Sequence, residues 1–452
     1  MIILILLMIS AVIFQAIFVC PVMAGNVDNF GIGSRAISVC GAVAACPDET
    51  YALFNNPGAL KGSDRFTFSA GTSLVKPDLI VNEYSVSHDP YHQKTAPFSS
   101  TTDGIAVPHF SASKKINDRI TAGVAAYVPF GLEMEWPSNP NRNPAAYNSH
   151  ESYYVREVIT PGMSFNINDT FSIGTGLSIG KAKTGQSNRE YFPEYIATSQ
   201  PVRDKTGLDE ATLKKISSLF HDADIRVDLE DDANLSMNIG MLFTPSEDIN
   251  LGITWRSGTE ADFSGSAVVV APNGMILRSK ADTAIDFPQQ IQAGVRIYPL
   301  KTVAFEADIL WTEWSVTNAY HLSFSPAIIG MIPEISYPRK WEDKFQLKFG
   351  TEWQIIEKVT LRCGYTYDPS PIPDETFDFV WPDADRHVYG IGAGIDLEGV
   401  TVDIAGTYVT SDGDRIIKGE SQNLNSSYKS LPVSMKAGGD MKGIGLTLTW
   451  KY

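Results

Sequence analysis

An all-β fold, a fourteen-stranded antiparallel transmembrane β-barrel with an N-terminal hatch in its lumen, is predicted by three features of the 452-residue sequence. Alternating apolar and polar segments fill the chain from Arg65 to Tyr452. Very short connectors take turns with long polar ones along that whole length. Outside residues 1–24 there is no run of 18 apolar residues, so a membrane span has to be built from strands.

The N-terminal element is MIILILLMISAVIFQAIFVCPVMA, residues 1–24, which closes on Val22 and Ala24 at the small-residue positions before a signal-peptidase cut. It is assigned as a signal peptide, and export follows. Val19 ahead of Cys20 departs from a lipoprotein site. The net charge of −16 excludes a phosphate-binding surface, hence nucleic acid. Cys40 and Cys46 are close enough to bridge in an oxidising compartment, with Cys363 left single; three free thiols are the alternative.

Residues 25–64 come next and do not alternate. They are small and Ala-rich, with short helical stretches near 34–45 and 49–54, and are less charged than a disordered tail. Such a segment suits a plug.

Residues 65–452 form the barrel. Tight turns are expected at Asn117-Asp118, Asn168-Asp169, Ser246-Glu247-Asp248, Pro299-Leu300-Lys301, Glu357-Lys358 and Glu398-Gly399. Long connections fall near 76–102, 131–150, 183–226, 259–283, 315–340, 369–386 and 411–440. Six turns and seven loops separate fourteen strands, and this asymmetry marks an outer-membrane barrel of a Gram-negative bacterium.

Facing follows from parity. Phe171, Ile173, Leu177 and Ile179 alternate with Ser172, Gly174, Gly176, Ser178 and Gly180. The same rule turns Arg296, Glu306, Asp308, Lys348, Arg362 and Asp403 into the lumen, where their mixed signs predict a paired network. Trp255, Trp311, Trp353, Trp450 and Tyr452 lie near strand ends, where interfacial girdles belong. The last strand, GIGLTLTWKY, carries Ile444, Leu446, Leu448, Trp450 and Tyr452 on one face and is expected to close the barrel against residues 65–75.

Several stretches resemble the FadL/TodX-type outer-membrane transporters of long-chain fatty acids and aromatic hydrocarbons. They are Gly33-Ser-Arg-Ala-Ile37, Pro47-Asp-Glu-Thr-Tyr-Ala-Leu-Phe-Asn-Asn-Pro57, Tyr127-Val-Pro-Phe-Gly131, Glu306-Ala-Asp-Ile-Leu-Trp-Thr-Glu-Trp314 and Leu361-Arg-Cys-Gly-Tyr-Thr-Tyr-Asp-Pro-Ser-Pro-Ile-Pro-Asp374. The resemblance implies a monomeric barrel that binds a hydrophobic ligand between the third and fourth long loops. It further implies passage to a pocket near the hatch and lateral exit at a kinked third strand. Asn56-Pro57-Gly58 stands where the family has Asn-Pro-Ala, and glycine is expected to loosen that turn.

The candidate gating residues are Phe54, Asn55, Asn56 and Pro57 in the hatch, with Gly123 as the kink inside residues 119–130. In the third loop Leu213, Ile216, Leu219 and Phe220 share a helical face behind an Asp209 cap, an exposed apolar surface for a ligand. The fourth loop adds Val269 and Ile276 on the arms of a hairpin around Pro272-Asn273-Gly274.

Catalytic motifs do not emerge. Gly176-Leu-Ser-Ile-Gly180 matches a hydrolase string but lies within an alternating strand. The seven histidines lack paired metal spacing, so neither metal nor cofactor is expected. The acidic run Asp222, Asp224, Asp228, Glu230, Asp231 and Asp232 lacks the glycine and terminal glutamate of a calcium loop; it reads first as a solvated outer-loop face, with cation bridging to lipopolysaccharide as the alternative. The expected partners are a fatty acid or hydrocarbon, outer-membrane lipid and lipopolysaccharide, and the barrel assembly machinery. Uptake of long-chain fatty acids is the leading expectation. Uptake of small aromatic hydrocarbons and a general porin for polar solutes are its rivals.

Overall fold

The computed structural model describes residues 31–62, 66–329 and 332–452. The expected signal peptide, residues 1–24, and residues 25–30 of the hatch lie outside the described residues.

Fourteen strands form the wall: β1 (Thr67–Val86), β2 (Ile105–Lys115), β3 (Ile120–Glu135), β4 (Glu151–Asn166), β5 (Phe171–Arg189), β6 (Asp224–Ser246), β7 (Ile249–Arg256), β8 (Gln290–Leu300), β9 (Val303–Thr312), β10 (Lys344–Ile356), β11 (Val359–Asp368), β12 (Arg386–Asp396), β13 (Val400–Ser411) and β14 (Val433–Lys451). Each pairs antiparallel with the next. β14 returns to β1, from Thr67 opposite Lys451 to Val86 opposite Val433, and this pairing closes the barrel.

The short turns follow their residue types. Asn117 Oδ1 accepts the N–H groups of Arg119 and Ile120 at 2.9 Å each, and Asn168 Oδ1 accepts those of Thr170 and Phe171 at 2.9 and 2.8 Å. Glu398 and Gly399 take positive φ of 57° and 105°, as a tight hairpin requires.

Strands run further into the long connections than alternation predicts. β1 continues past residue 76 to Val86. The stretches expected as loops at 259–283 and 315–340 fold largely as hairpins, Thr259–Val270 with Ile276–Phe287 and Ala319–Ile328 with Ile332–Pro338. They extend the sheet above the membrane, since Asp224–Glu230 of β6 pairs with Ser264–Val270. Polar sequence there reflects water on the outer face rather than loss of strand structure.

The hatch fills the lumen. Its helices, Ser34–Ser38 and Ala52–Asn55, are shorter than the stretches expected from sequence. The first ends because Cys40 and Gly41 adopt left-handed φ of 52° and 76°. Ala36, Val39, Ala42, Val43, Ala44 and Ala45 are buried, and small side chains let hatch backbone lie against the wall. At Gly252 an added Cβ would sit 1.8 Å from the Ala44 carbonyl oxygen, so only glycine admits the hatch at that point of β7. Cys40 and Cys46 are free thiols, which corrects the disulfide alternative. Cys40 Sγ faces the Val388 carbonyl and Cys46 Sγ faces Asp48 Oδ1, both at 3.7 Å. Burial pushes the Cys40 thiol up to about 12, so it stays protonated and unreactive at neutral pH.

These two thiols report hatch seating. In the folded wild type, Cys40 and Cys46 are expected to resist maleimide until urea unfolds the chain. Gly252→Val is expected to raise their labelling rate by about tenfold or more while the barrel keeps its heat-modifiable gel mobility, since overpacking of this kind costs about 1–3 kcal/mol. Unchanged protection in that variant would show that the hatch does not rest on β7.

Candidate functional site: the hatch seat and the opening in the wall

A hatch inside a barrel brings backbone groups that no ladder can pair. Inward side chains of the wall receive them. The N–H groups of Val43 and Ala44 donate to Asp308 Oδ2 at 3.0 Å each, and that of Ala45 donates to Glu306 Oε1 at 2.7 Å. Gln292 Nε2 donates to the Gly41 carbonyl at 2.9 Å and Thr366 Oγ1 to that of Cys40 at 2.9 Å. Asn238 and Arg256 hold the carbonyls of Leu53 and Phe54 at 2.7 and 3.2 Å.

Charge locks the same seat. Arg35 of the hatch forks onto Glu352 at 3.1 and 3.0 Å and donates to Asp48 at 3.0 Å. Glu352 also lies 3.5 Å from Arg296 and 3.6 Å from Arg362; Arg296 pairs with Glu306 at 2.9 Å and Arg362 with Asp403 at 2.7 Å. All six charges assigned to the lumen by parity are inside it, with Lys348 in register opposite Asp308. Glu306 and Asp308 bear directly on the hatch, while Arg296, Arg362 and Asp403 also line a polar cavity beside it. Arg35, Asn238, Arg256 and Gln292 are absent from the candidates read from sequence, although inward parity marks the last three and could have found them; the same parity puts Glu352 on the lumen face of residues 344–355. A polar cavity of about 320 Å³, lined by Arg35, Asp48, Glu49, Lys301, Gln354 and Lys451, lies on the short-turn side of this network.

Asn56 joins hatch to wall. Its Nδ2 donates to the carbonyls of Ala44 at 2.6 Å and Met241 at 2.9 Å, while its Oδ1 accepts the Gly58 N–H at 2.9 Å. An added Cβ on Gly58 would come 2.9 Å from Leu242 N and 3.0 Å from Gly240 O. Glycine therefore lets this turn press against β6, which corrects the expectation that it loosens the hatch. Phe54 is buried between the Arg256 guanidinium, 4.8 Å from its centroid, and the Tyr127 ring at 5.1 Å. Asn55 is buried beside it.

Tyr127 stands where the wall parts. β2 and β3 pair only from Phe110 opposite Ala126 to Lys115 opposite Thr121. Beyond that, Ile105–His109 stays on β1 while β3 stays on β4. Register explains the split, because Tyr127 faces Val158 whereas Phe130 faces Arg156, so β3 carries one extra residue at Val128-Pro129. Pro129 also lacks the N–H that a ladder would need. Gly123, by contrast, pairs regularly with Ser113 and Gly162, so the irregularity at Val128-Pro129 lies five to six residues beyond the position expected from sequence. The resulting gap is a cavity of about 500 Å³ lined by Pro108, His109, Phe110, Tyr127, Val128 and Val158.

A smaller apolar cavity of about 90 Å³ lies toward the long loops, between Leu79, Leu132, Met134, Trp136, Phe377 and Phe379, with Arg386 and Arg415 in its lining. Arg386 is paired with Asp368 and Asp383. Arg415 donates to Asp374 and to the Ile372 carbonyl at 2.6 and 2.7 Å.

The model of the family described as outer membrane protein transport protein (OMPP1/FadL/TodX) matches residues 23–452. The chain belongs to this family. The long-chain fatty acid transport protein of Escherichia coli O6:H1 is 21% identical over 411 residues, 86% of each chain. A crystallised FadL homologue of Pseudomonas aeruginosa is 18% identical, with a TM-score of 0.76 over 95% of this chain and 99% of the other. The toluene transporter TbuX of Ralstonia pickettii is 14% identical, with a TM-score of 0.68 over 94% and 99%. The protein is thus a FadL/TodX-family barrel of the Gram-negative outer membrane.

In this FadL/TodX barrel the third-loop helix, Glu210–Phe220, turns its apolar face inward. Asp209 caps it by accepting the Thr212 N–H at 2.7 Å, and that bond holds the Asp209 carboxyl below the usual carboxylate range. Leu213 and Phe220 are buried and Ile216 and Leu219 half-buried against the loop cluster that contains Ile196 and Ala197. Val269 is buried and Ile276 exposed. The open groove expected between these loops is therefore covered, because the helix closes over its own neighbours. The acidic run also has local partners: Asp224 meets His150 at 3.0 Å, Asp228 meets Arg226 at 2.9 Å, and Glu230 meets Lys181 and Lys183 at 3.3 and 3.0 Å.

Glu352→Gln is expected to destabilise the folded barrel by about 3–5 kcal/mol, because three buried guanidiniums lose their shared counter-charge. A lower urea midpoint in detergent, with larger single-channel conductance in planar bilayers, is the expected reading. A wild-type midpoint would mean that the seat does not depend on this carboxylate.

Proposed function

We propose that this transporter carries long-chain fatty acids across the outer membrane, from the apolar loop-side cavity to the hatch and out sideways through the gap between β2 and β3. The gap carries the reading. A closed ladder would otherwise seal the wall, and here an extra residue lies beside a mostly apolar cavity of about 500 Å³ between wall strands, whose Tyr127 touches Phe54 of the hatch. An apolar solute gains by leaving toward lipid, at roughly 25 cal/mol per Å² of apolar surface kept from water. The alternative course toward the periplasm meets the charged seat of Arg35, Glu352, Arg296 and Arg362.

A monocarboxylate suits the loop-side cavity because Arg386 and Arg415 are the cations of its largely apolar lining, which also holds Asp383 and Asp440. The E. coli relative that bears the name long-chain fatty acid transport protein points the same way. A second reading, small aromatic hydrocarbons, draws on Trp136, Phe377 and Phe379 in that lining. A general porin is disfavoured by the hatch, whose residues fill the lumen.

Uptake of radiolabelled oleate by Gram-negative cells lacking their own fatty-acid transporter tests the reading. The chain is expected to restore uptake, and changing Asn56 and Pro57 to Ala together is expected to reduce it. Toluene uptake without oleate uptake, in cells with a correctly folded barrel, would select the aromatic reading instead.

Deleting Pro129 removes the extra residue and allows β3 to zip onto β2. Oleate uptake is expected to fall by about tenfold or more, with heat-modifiable mobility retained. Wild-type uptake in this deletion would sink the lateral route.

A further inference from the structure

The gap lies at the upper edge of the apolar belt. On β5 the outward residues run Phe171, Ile173, Leu177 and Ile179, then change to Lys181 and Lys183. Ten residues of a strand tilted by about 40° rise roughly 26 Å, close to the height of an outer-membrane apolar belt. Neighbouring strands change character at the same level. Outward residues pass from Ile159 to Glu157 on β4 and from Leu235 to Asp232 on β6. Across the β1–β14 seam, Leu74 opposite Ile444 gives way to Lys76 opposite Lys442. Ala106 is in register with Leu74 and Pro108 with Thr72, so the unzipped part of β2 occupies the topmost outward positions of the belt.

Three boundary charges, Glu157, Lys181 and Asp232, line the gap itself. The Lys181 ammonium is 3.1 Å from Asp232 and 3.3 Å from Glu230, with its side chain 33% exposed. Glu230 is shared with Lys183 at 3.0 Å.

A fatty acid at rest in a bilayer keeps its carboxylate at head-group level and its chain in hydrocarbon. One that leaves chain first through a gap at this depth reaches that position directly, with its head emerging last. Building on the transport reading above, we infer that Lys181 is the exit contact for the carboxylate of a departing monocarboxylic acid. Two acidic neighbours already divide the ammonium, so a third carboxylate is held weakly and then released. Lys181 acts as a positioning residue: it orders the departure of a charged head and has no role for an uncharged one.

The test compares initial uptake of radiolabelled oleate and of uncharged oleyl alcohol by cells making the full chain. Lys181→Met keeps the aliphatic stem and removes the charge. Oleate uptake is expected to fall about threefold to fivefold, the worth of an exposed ion pair, while oleyl alcohol uptake holds. Lys181→Arg is expected to keep oleate uptake within about twofold of wild type. An unchanged oleate rate in Lys181→Met, or an equal fall for the alcohol, overturns the inference. No oleate uptake by the wild type overturns the transport reading itself.

Discussion

A folded segment inside a closed barrel must find hydrogen-bond partners for its backbone, and that constraint organises this molecule. The amides of Val43, Ala44 and Ala45 have no strand to join, and Asp308 and Glu306 take them. Two carboxylates aimed at one spot would repel each other in water-poor surroundings, yet amide donors and Arg296 on Glu306 offset that cost. Arg35 carries the same logic in reverse, bringing a hatch cation to Glu352 on β10. Glycine follows as a geometric necessity, since Ala44 approaches β7 closely enough to exclude a side chain at Gly252. The inward faces are therefore polar and small because of what they hold.

Much of this was legible in the sequence, and what was not has physical causes. Strand number and closure follow from turn chemistry at Asn117, Asn168 and Glu398-Gly399 and from strict alternation in the last strand. The inward charges follow from parity, because a period of two leaves each residue only two faces. Parity is silent about partners, however, so Arg296 and Asp308 were legible as lumen residues without their task of seating the hatch. The kink was misplaced for a related reason. Glycine at position 123 looks flexible, but a strand opens where its register slips, and that slip at Val128-Pro129 is a property of two strands together. The third-loop helix shows the same limit: its apolar face was visible, whereas its coverage by residues such as Ile196 and Ala197 depends on tertiary packing.

Hatch and gap share residues, which ties the two halves of the proposed path. Tyr127 bounds the gap, touches Phe54 of the hatch at 5.1 Å, and its hydroxyl accepts from Thr160 at 2.9 Å and from Asn238 at 3.3 Å. Asn238 in turn holds the Leu53 carbonyl. A displacement of Leu53-Phe54 therefore cannot leave the edge of the gap unchanged, because the same amide and ring contacts define both.

An unzipped pair of strands is a liability in lipid, where unpaired N–H and C=O groups cost several kcal/mol each. The wall limits that exposure in three ways. The split spans only Ile105–His109, which keeps its full pairing to β1 on the other side. Pro129 removes one donor from the exposed edge of β3. The opening also sits at the level where Lys76, Lys181 and Lys442 begin, so its upper end reaches the polar interface rather than the hydrocarbon centre. A gap placed lower would strand its carbonyls in pure hydrocarbon, and one placed higher would open into water and forfeit the proposed apolar route. The depth of the split is thus set by two opposing costs, and the register of β1 with β2 and β14 holds it there.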